Sequence, residues 1–268
     1  MDHPINTFKR ALARGEHQTG LWMTLASHYA TEAVSASNLD WLLLDMEHSP
    51  NEYDDILRQL QVIAGYRAHA VVRPVWNDPV AFKRLLDMGA QTLLVPYIQN
   101  AEEAKAAVSA MRYPPAGIRG VSAVTRATRF GRLPDYPSRG QDELCLLVQV
   151  ESVEALAQIE AIADVDGVDG IFIGPGDLAA SMGLIGQLKH PLLLAAIDEA
   201  IKKIRACGKA PGILTGDRDL AQRFIKGGSL FTAVGVDAAL LARAADDLAR
   251  SFAEISQSGL LPVSRTPT

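Results

Sequence analysis

A (β/α)8 TIM barrel is the fold this sequence predicts, and three observations predict it. Eight short, nearly continuous apolar runs recur along the chain. Helical patterns alternate with them. The set fits within roughly 250 residues, the usual span of such a barrel. An open doubly wound sheet is the alternative. The count of eight and the lack of linker composition favour one barrel domain over 1–256, with 257–268 as a loose tail.

The elements follow in order. Residues 5–14 read as a short amphipathic helix stopped by Gly15. Strands are expected at 20–26, 41–47, 69–74, 92–97, 144–150, 169–174, 209–214 and 230–235. The helices between them are well punctuated. Asp78-Pro79 with Gly89 gives an N-cap, a first-turn proline and a C′ glycine. Asn100 with Glu103 has capping-box spacing. Pro191 opens a helix whose Lys202, Lys203 and Arg205 suit its C-terminal dipole, with Gly208 after them. Leu156, Ile159 and Ile162 form a buried stripe. A long last helix, 237–256, is expected to pack on another subunit. One stretch breaks the rhythm: 112–143 is an unusually long connection carrying Arg112, Arg119, Arg126, Arg129, Arg132 and Arg139.

Composition narrows the function. Charged residues make up 21% and apolar residues 48%, so a large core is available. A net charge of −5 argues against nucleic acid as partner. No apolar run approaches the roughly 20 residues of a membrane span. The N-terminus lacks the apolar core of a signal peptide, and Cys145 and Cys207 form no CxxC pair. The expectation is a soluble protein of the reduced cytoplasm.

In a TIM barrel the chemistry gathers at the C-terminal strand ends. Those ends here offer Trp22; Asp45, Glu47 and His48; Arg73; Gln149 and Glu151; Gly174, Gly176 and Asp177; Leu214 and Thr215; Gly235 and Asp237. Lys209 and His69 fall at the opposite end. Glu151 and Asp177 follow neighbouring parallel strands and would form half of a hard-cation site, suited to magnesium or manganese. No HxxH or HExxH supports catalytic zinc. A buried Asp45–Arg73 ion pair is the structural reading of those two residues. His48 is the best general base, because its ordinary pKa lies near neutrality. Gly174-Pro175-Gly176 turns tightly into a helix N-terminus whose amides could hold a carboxylate or phosphate.

Other chemistries fit less well. Gly174, Gly176 and Ala179 mimic a dinucleotide fingerprint, but Pro175 removes an amide and Asp177 follows the second glycine, so no nucleotide cofactor is expected. None of the eight lysines lies at a C-terminal strand end, which excludes a Schiff base. There is no GxSxG elbow.

The segments WLLLDMEHSP, VVRPVWNDP, LLVPYIQNAEEA, GIRGVS, LLVQVES, IFIGPGDLAASMG and FTAVGVD resemble, in order over about 5–255, the HpcH/HpaI family of metal-dependent (class II) pyruvate aldolases. The resemblance implies cleavage of a 4-hydroxy-2-oxo acid to pyruvate and an aldehyde, in a barrel that assembles as a homohexamer. It implies a divalent ion, magnesium or manganese with cobalt as a further candidate, on Glu151 and Asp177, and a pyruvate or hydroxypyruvate-like keto acid chelating it. Arg73 would stabilise the enolate oxygen. Gln149, Gly176, Asp177, Leu214 and Trp22 would contact substrate. His48 would act as acid and base with Asp45 nearby. The family often has Ala or Ser where this chain has Gly176. Met46 replaces a frequently small residue.

Two other readings compete. A CoA-ester lyase of the malyl- or citryl-CoA type would use the same metal acids and could recruit the arginines of 112–139 for phosphates. Those arginines could equally hold substrate carboxylates or a subunit contact, and the 112–143 loop is expected to help line the aldehyde pocket. A barrel that only binds a keto acid is opposed by the intact set of Glu151, Asp177, Arg73 and His48.

Overall fold

The computed structural model describes residues 3–257. Eight parallel strands close into one barrel in sequence order: β1 (Gln18–Met23), β2 (Trp41–Asp45), β3 (His69–Arg73), β4 (Thr92–Val95), β5 (Cys145–Val150), β6 (Gly170–Ile173), β7 (Ala210–Leu214) and β8 (Phe231–Val236). β1 pairs with both β2 and β8, and its register with β8 shifts between Gly20 and Trp22.

Every expected strand is present, with no edge moved by more than three residues. The first starts and stops earlier than 20–26. Beyond Met23 the amides of Thr24 and Leu25 leave the ladder for the Asp237 carboxylate, and Ala26 turns the chain at φ +50°. The second stops at Asp45, because the Glu47 amide bonds the Asp45 side chain instead of a neighbouring strand. Glu47 and His48 therefore sit in the turn above the barrel.

The helices are α1 (Thr7–Ala13), α2 (His28–Ser35), α3 (Tyr53–Ile63), α4 (Pro79–Asp87), α5 (Ala101–Met111), α6 (Tyr136–Arg139), α7 (Val153–Ala157), α8 (Ile159–Ala163), α9 (Pro175–Ser181), α10 (Pro191–Ala206), α11 (Arg218–Lys226) and α12 (Asp237–Gln257). Asp78 caps α4 through the Val80 amide, and Gly89 takes φ +92° beyond its end. Asn100 accepts from the Glu103 amide, but the Glu103 carboxylate answers the Gln99 amide rather than that of Asn100. The Leu156–Ile162 stripe spans two short helices broken at Gln158, with Ile159 and Ile162 buried. Gln257 ends α12, and the rest of the expected loose tail lies outside the described residues.

Two apolar layers hold the barrel. One lies between strands and helices. The other fills the interior with Trp22, Trp41, Leu43, Leu147, Phe172 and Phe231, and Phe8 of α1 plugs the N-terminal end. Gly20 and Gly212 make room for the Trp41 and Phe231 rings, which a side-chain carbon at either glycine would strike. A filled interior leaves only the rims for chemistry.

The 112–143 connection joins the end of α5 to the start of β5, so it lies at the N-terminal end, away from the site-bearing rim. Ala127 bonds Asp87 O, and Cys145, just past the loop, bonds Gln91 O. This corrects the expectation that the loop lines the aldehyde pocket of its own chain. Its arginines serve the fold. Arg119 is fully buried beside Asp87 (2.9 Å), with its guanidinium 4.5 Å from the Tyr113 ring. Arg112 pairs with Asp166, and Arg126 bonds the carbonyls of Met88 and Leu60 at the ends of α4 and α3.

Candidate active site

The C-terminal rim carries one cavity of about 380 Å³, and most of the expected residues meet there. Trp22, His48, Arg73, Gln149, Gly176, Asp177 and Leu214 all line it. Asp45 and Glu151 lie just behind this wall, joined to it through hydrogen bonds.

Arg73 is the most constrained group. Its guanidinium makes two parallel bonds to Asp45, from Nε (2.8 Å) and Nη2 (2.7 Å), and its Nη1 lies 2.7 Å from Glu47 Oε2. Trp22 donates its indole N–H to Asp45 (3.2 Å) and faces the Arg73 guanidinium at 5.0 Å. A forked guanidinium held in this way is fixed in plane and position. Burial opposes the Asp45 carboxylate, but its bonds to Arg73 outweigh that and hold its pKa below the ordinary value. The structural reading of Asp45 is thus realised: its carboxylate is committed to Arg73 and Trp22 and does not touch His48.

Glu47 differs from Asp45. Burial pushes its pKa up despite the Arg73 charge. It is also the acid next to His48, at 3.9 Å, and that imidazole is 68% exposed at the cavity mouth. The sequence placed Glu47 at the strand end without a role; its reach to both Arg73 and His48 comes from the turn after β2.

Glu151 receives a hydrogen bond from Gln149 Nε2 (2.5 Å) and one from the Tyr97 amide (3.0 Å). Tyr97 adopts φ +54° to aim that amide, a left-handed conformation that costs a tyrosine about 1 kcal/mol or more. Its ring stacks on Trp76 at 5.7 Å. No sequence signal announced this contact. Gly174 is also required here, because a side-chain carbon would collide with the Glu151 carboxylate. At Gly176 the space is open, so an alanine or serine would fit.

Burial, together with the charges of Asp177 and Glu47, pushes Glu151 up to about 7, although the Gln149 and Tyr97 bonds oppose it. Gln149 Oε1 is buried without a partner. Excess lone pairs and crowded carboxylates are what a hard divalent cation relieves. Among the described residues no three His, Cys, Asp or Glu side chains form a ready cation cage, and Glu151 and Asp177 are two carboxylates close enough for the charge of Asp177 to raise the pKa of Glu151. That donor set fits a hard ion which keeps other positions for water or substrate.

The profile of the HpcH/HpaI aldolase/citrate lyase family matches residues 18–244. A pyruvate aldolase from Rhizobium etli is 57% identical over 253 residues, covering 94% of this chain and 100% of the relative. A 4-hydroxy-2-oxo-heptane-1,7-dioate aldolase from Salmonella arizonae is 56% identical over 256 residues, covering 95% and 97%. The crystal structure of a HpcH/HpaI aldolase/citrate lyase family protein from Burkholderia cenocepacia superposes with a TM-score of 0.89 at 37% identity, covering 92% of this chain and 99% of that one.

Proposed function

The chain belongs to the HpcH/HpaI aldolase/citrate lyase family, and from that premise we propose that it is a pyruvate aldolase, a carbon–carbon lyase that reversibly cleaves a 4-hydroxy-2-oxo acid to pyruvate and an aldehyde. The observation that carries this reading is the fixed Arg73 guanidinium in one cavity with Asp177, with the crowded Glu151 carboxylate directly behind its wall.

Breaking the C3–C4 bond of the substrate leaves its electron pair as an enolate, with charge on the C2 oxygen. Arg73, held flat by Asp45 and Glu47, offers preorganised N–H donors to that oxygen as the charge develops. His48 takes the proton of the 4-hydroxyl as its oxygen becomes the aldehyde carbonyl, and returns a proton to C3 to complete pyruvate. Asp45 is a positioning residue that acts through Arg73. Trp22 and Leu214 supply apolar walls, and Gln149 orients Glu151 while presenting its free Oε1. A divalent cation, magnesium or manganese, held by Glu151 and Asp177 would supply positive charge that favours the enolate over the ketone.

The CoA-lyase reading loses its support here, since the arginines proposed for phosphate binding serve the N-terminal end of the barrel. On α12, Leu241, Leu248 and Phe252 share one stripe and are 62–66% exposed. Such a stripe favours burial against another copy, in line with a hexamer. Among the described residues no helix is long and apolar enough to cross a membrane. Separate free cysteines suit the cytoplasm.

The deciding experiment is proton NMR of pyruvate in D₂O with purified protein, with added Mg²⁺ or Mn²⁺ and then with chelator. Metal-dependent loss of the methyl signal is expected. No exchange under either condition would overturn the reading.

A further inference from the structure

Two aromatic rings at the C-terminal rim have no task in the aldolase reading. Trp76 lies in the loop between β3 and α4, and Tyr97 lies in the loop between β4 and α5. The rings are stacked, with centroids 5.7 Å apart and planes 28° from parallel. Trp76 is 53% exposed and Tyr97 is 44% exposed, so the pair adds little to the core.

The backbone that carries the Tyr97 ring is bound to the end of β5. Pro96 has no N–H to give. Tyr97 gives its N–H to Glu151 Oε1 (3.0 Å), and Ile98 gives its N–H to the Gln149 carbonyl (2.9 Å). The Gln99 side chain accepts from Ser152 Oγ (2.6 Å). The first of these bonds goes with φ +54° at Tyr97, a conformation that a tyrosine keeps only where its surroundings hold it. Trp76 is the ring stacked on it, and Trp76 is itself anchored. Its carbonyl accepts the Asp78 amide (2.9 Å), and the adjoining Asn77 side chain donates to the Glu103 carbonyl (3.1 Å). The Glu103 carboxylate accepts the Gln99 amide (2.8 Å), so both loops are tied to the first turn of α5.

Glu151 is held at both oxygens, Oε1 by the Tyr97 amide and Oε2 by Gln149 Nε2. Two such bonds fix the plane of a carboxylate, and each oxygen keeps a further lone pair for a cation. Groups that orient a metal-binding side chain govern the affinity of the site nearly as strongly as the side chain itself. The strained residue in this loop is the one whose amide meets Glu151, which a stack serving only the surface would not require.

We propose that Trp76 and Tyr97 are positioning residues for divalent-cation binding: their stacked rings hold the Tyr97 backbone in its left-handed turn, and that turn keeps the Glu151 carboxylate aimed at the ion. This rests on the reading of Glu151 as a cation ligand and adds to it the pair that tunes its affinity.

The test is calorimetric titration of Mn²⁺ into the wild-type protein and into Trp76→Ala, Tyr97→Ala, the double variant and Tyr97→Phe, with Tm measured for each. Trp76→Ala and Tyr97→Ala should each raise the Kd for Mn²⁺ by about 3- to 10-fold, the scale of one stacked ring pair. The double variant should be no weaker than the weaker single variant, because both remove the same contact. Tyr97→Phe keeps a ring for the stack and should recover most of the affinity lost in Tyr97→Ala. A wild-type Kd in Trp76→Ala, with or without a lowered Tm, would make the stack a surface contact and overturn the proposal. Fully additive losses in the double variant would overturn it as well, since the rings would then act separately. Both results leave the metal-dependent reading standing, whereas a wild type that binds no Mn²⁺ overturns the two together.

Discussion

Polar side chains are buried or half-buried at both ends of the barrel, and at the N-terminal end the protein answers most of them with its own groups, although Arg119 Nε and Nη1 and His3 Nδ1 have no partner among the described residues. Asn6, fully buried, donates to Thr92 (2.9 Å) and to the Glu143 carbonyl (3.0 Å), and accepts the Lys9 amide (2.8 Å). Lys9 bonds the carbonyls of Asp142 and Leu144, and Lys209 bonds that of Val168. Burial raises the pKa of Asp169 as it does that of Glu151, but at Asp169 the charges of Lys9 and Lys209 and the Leu146 amide oppose the rise. Around Glu151 the nearest other carboxylates add to it. A folded chain satisfies nearly all its buried polar groups. What separates the two ends is charge: at the N-terminal end lysines face Asp169, whereas at the C-terminal rim carboxylates crowd Glu151 and the acceptor Gln149 Oε1 is bare, an arrangement that suits a cationic ligand.

Removing a carboxylate from the crowded end is the most direct way to break this contrast. Glu151→Ala or Asp177→Ala is expected to abolish metal binding by calorimetry and to lower pyruvate methyl exchange by about 10²-fold or more. Thermal stability should be kept or raised, because an uncompensated charge goes. An active variant that needs no metal would show that the crowding has another cause.

His48→Ala separates proton transfer from the rest of the rim. Aldol turnover should fall by about 10²–10⁴, the range for a lost general base, with metal affinity unchanged by calorimetry. Near-wild-type turnover would assign the proton to another group.

The same kind of deletion at the N-terminal end should have the opposite signature. Asn6→Ala removes the N-cap of α1 and leaves the Glu143 carbonyl unanswered, at a cost of about 1–2 kcal/mol. That corresponds to a Tm lower by roughly 2–8 °C, with kcat for cleavage unaltered. A fall in kcat at constant Tm would mean that the two ends are coupled.

The smallest effect is one of pH. Burial holds His69 down from its ordinary 6.5 to about 4, and Thr92 lies 2.8 Å from its Nε2. Between those values the unfolded chain binds a proton that the folded chain refuses, so stability is lost as pH falls from 6.5 towards 4 and levels off below. A wholly enclosed ring would lose about 3 kcal/mol. His69 is only half-buried by area, so a loss of about 1–2 kcal/mol is expected. Urea midpoints at several pH values for wild type and His69→Gln would test this, and parallel pH curves for the two would refute it.

Much of this contrast was legible in the residues. Runs such as WLLLD and CLLVQV are apolar because both faces of a barrel strand are buried, and that pattern needs no partner to be read. Glu151 and Asp177 stand out because a charge ending such a run is costly without a purpose. The arginines of 112–139 were misleading for the opposite reason. A basic stretch looks alike whether it meets a ligand or caps helix ends, and only the position of the loop under β5 shows that Arg119 and Arg126 are spent on Asp87 and on the carbonyls of α3 and α4.

The barrel, and which acids, histidine and arginine stand at the ends of its strands, could be read from the chain alone, because periodicity, punctuation and side-chain type are local properties. The tertiary structure decided how those groups are shared. It committed Asp45 to Arg73, turned Glu47 towards both Arg73 and His48, and bent Tyr97 to φ +54° to serve Glu151. Each of these depends on distances between residues far apart in the chain, and such distances exist only once the barrel has closed.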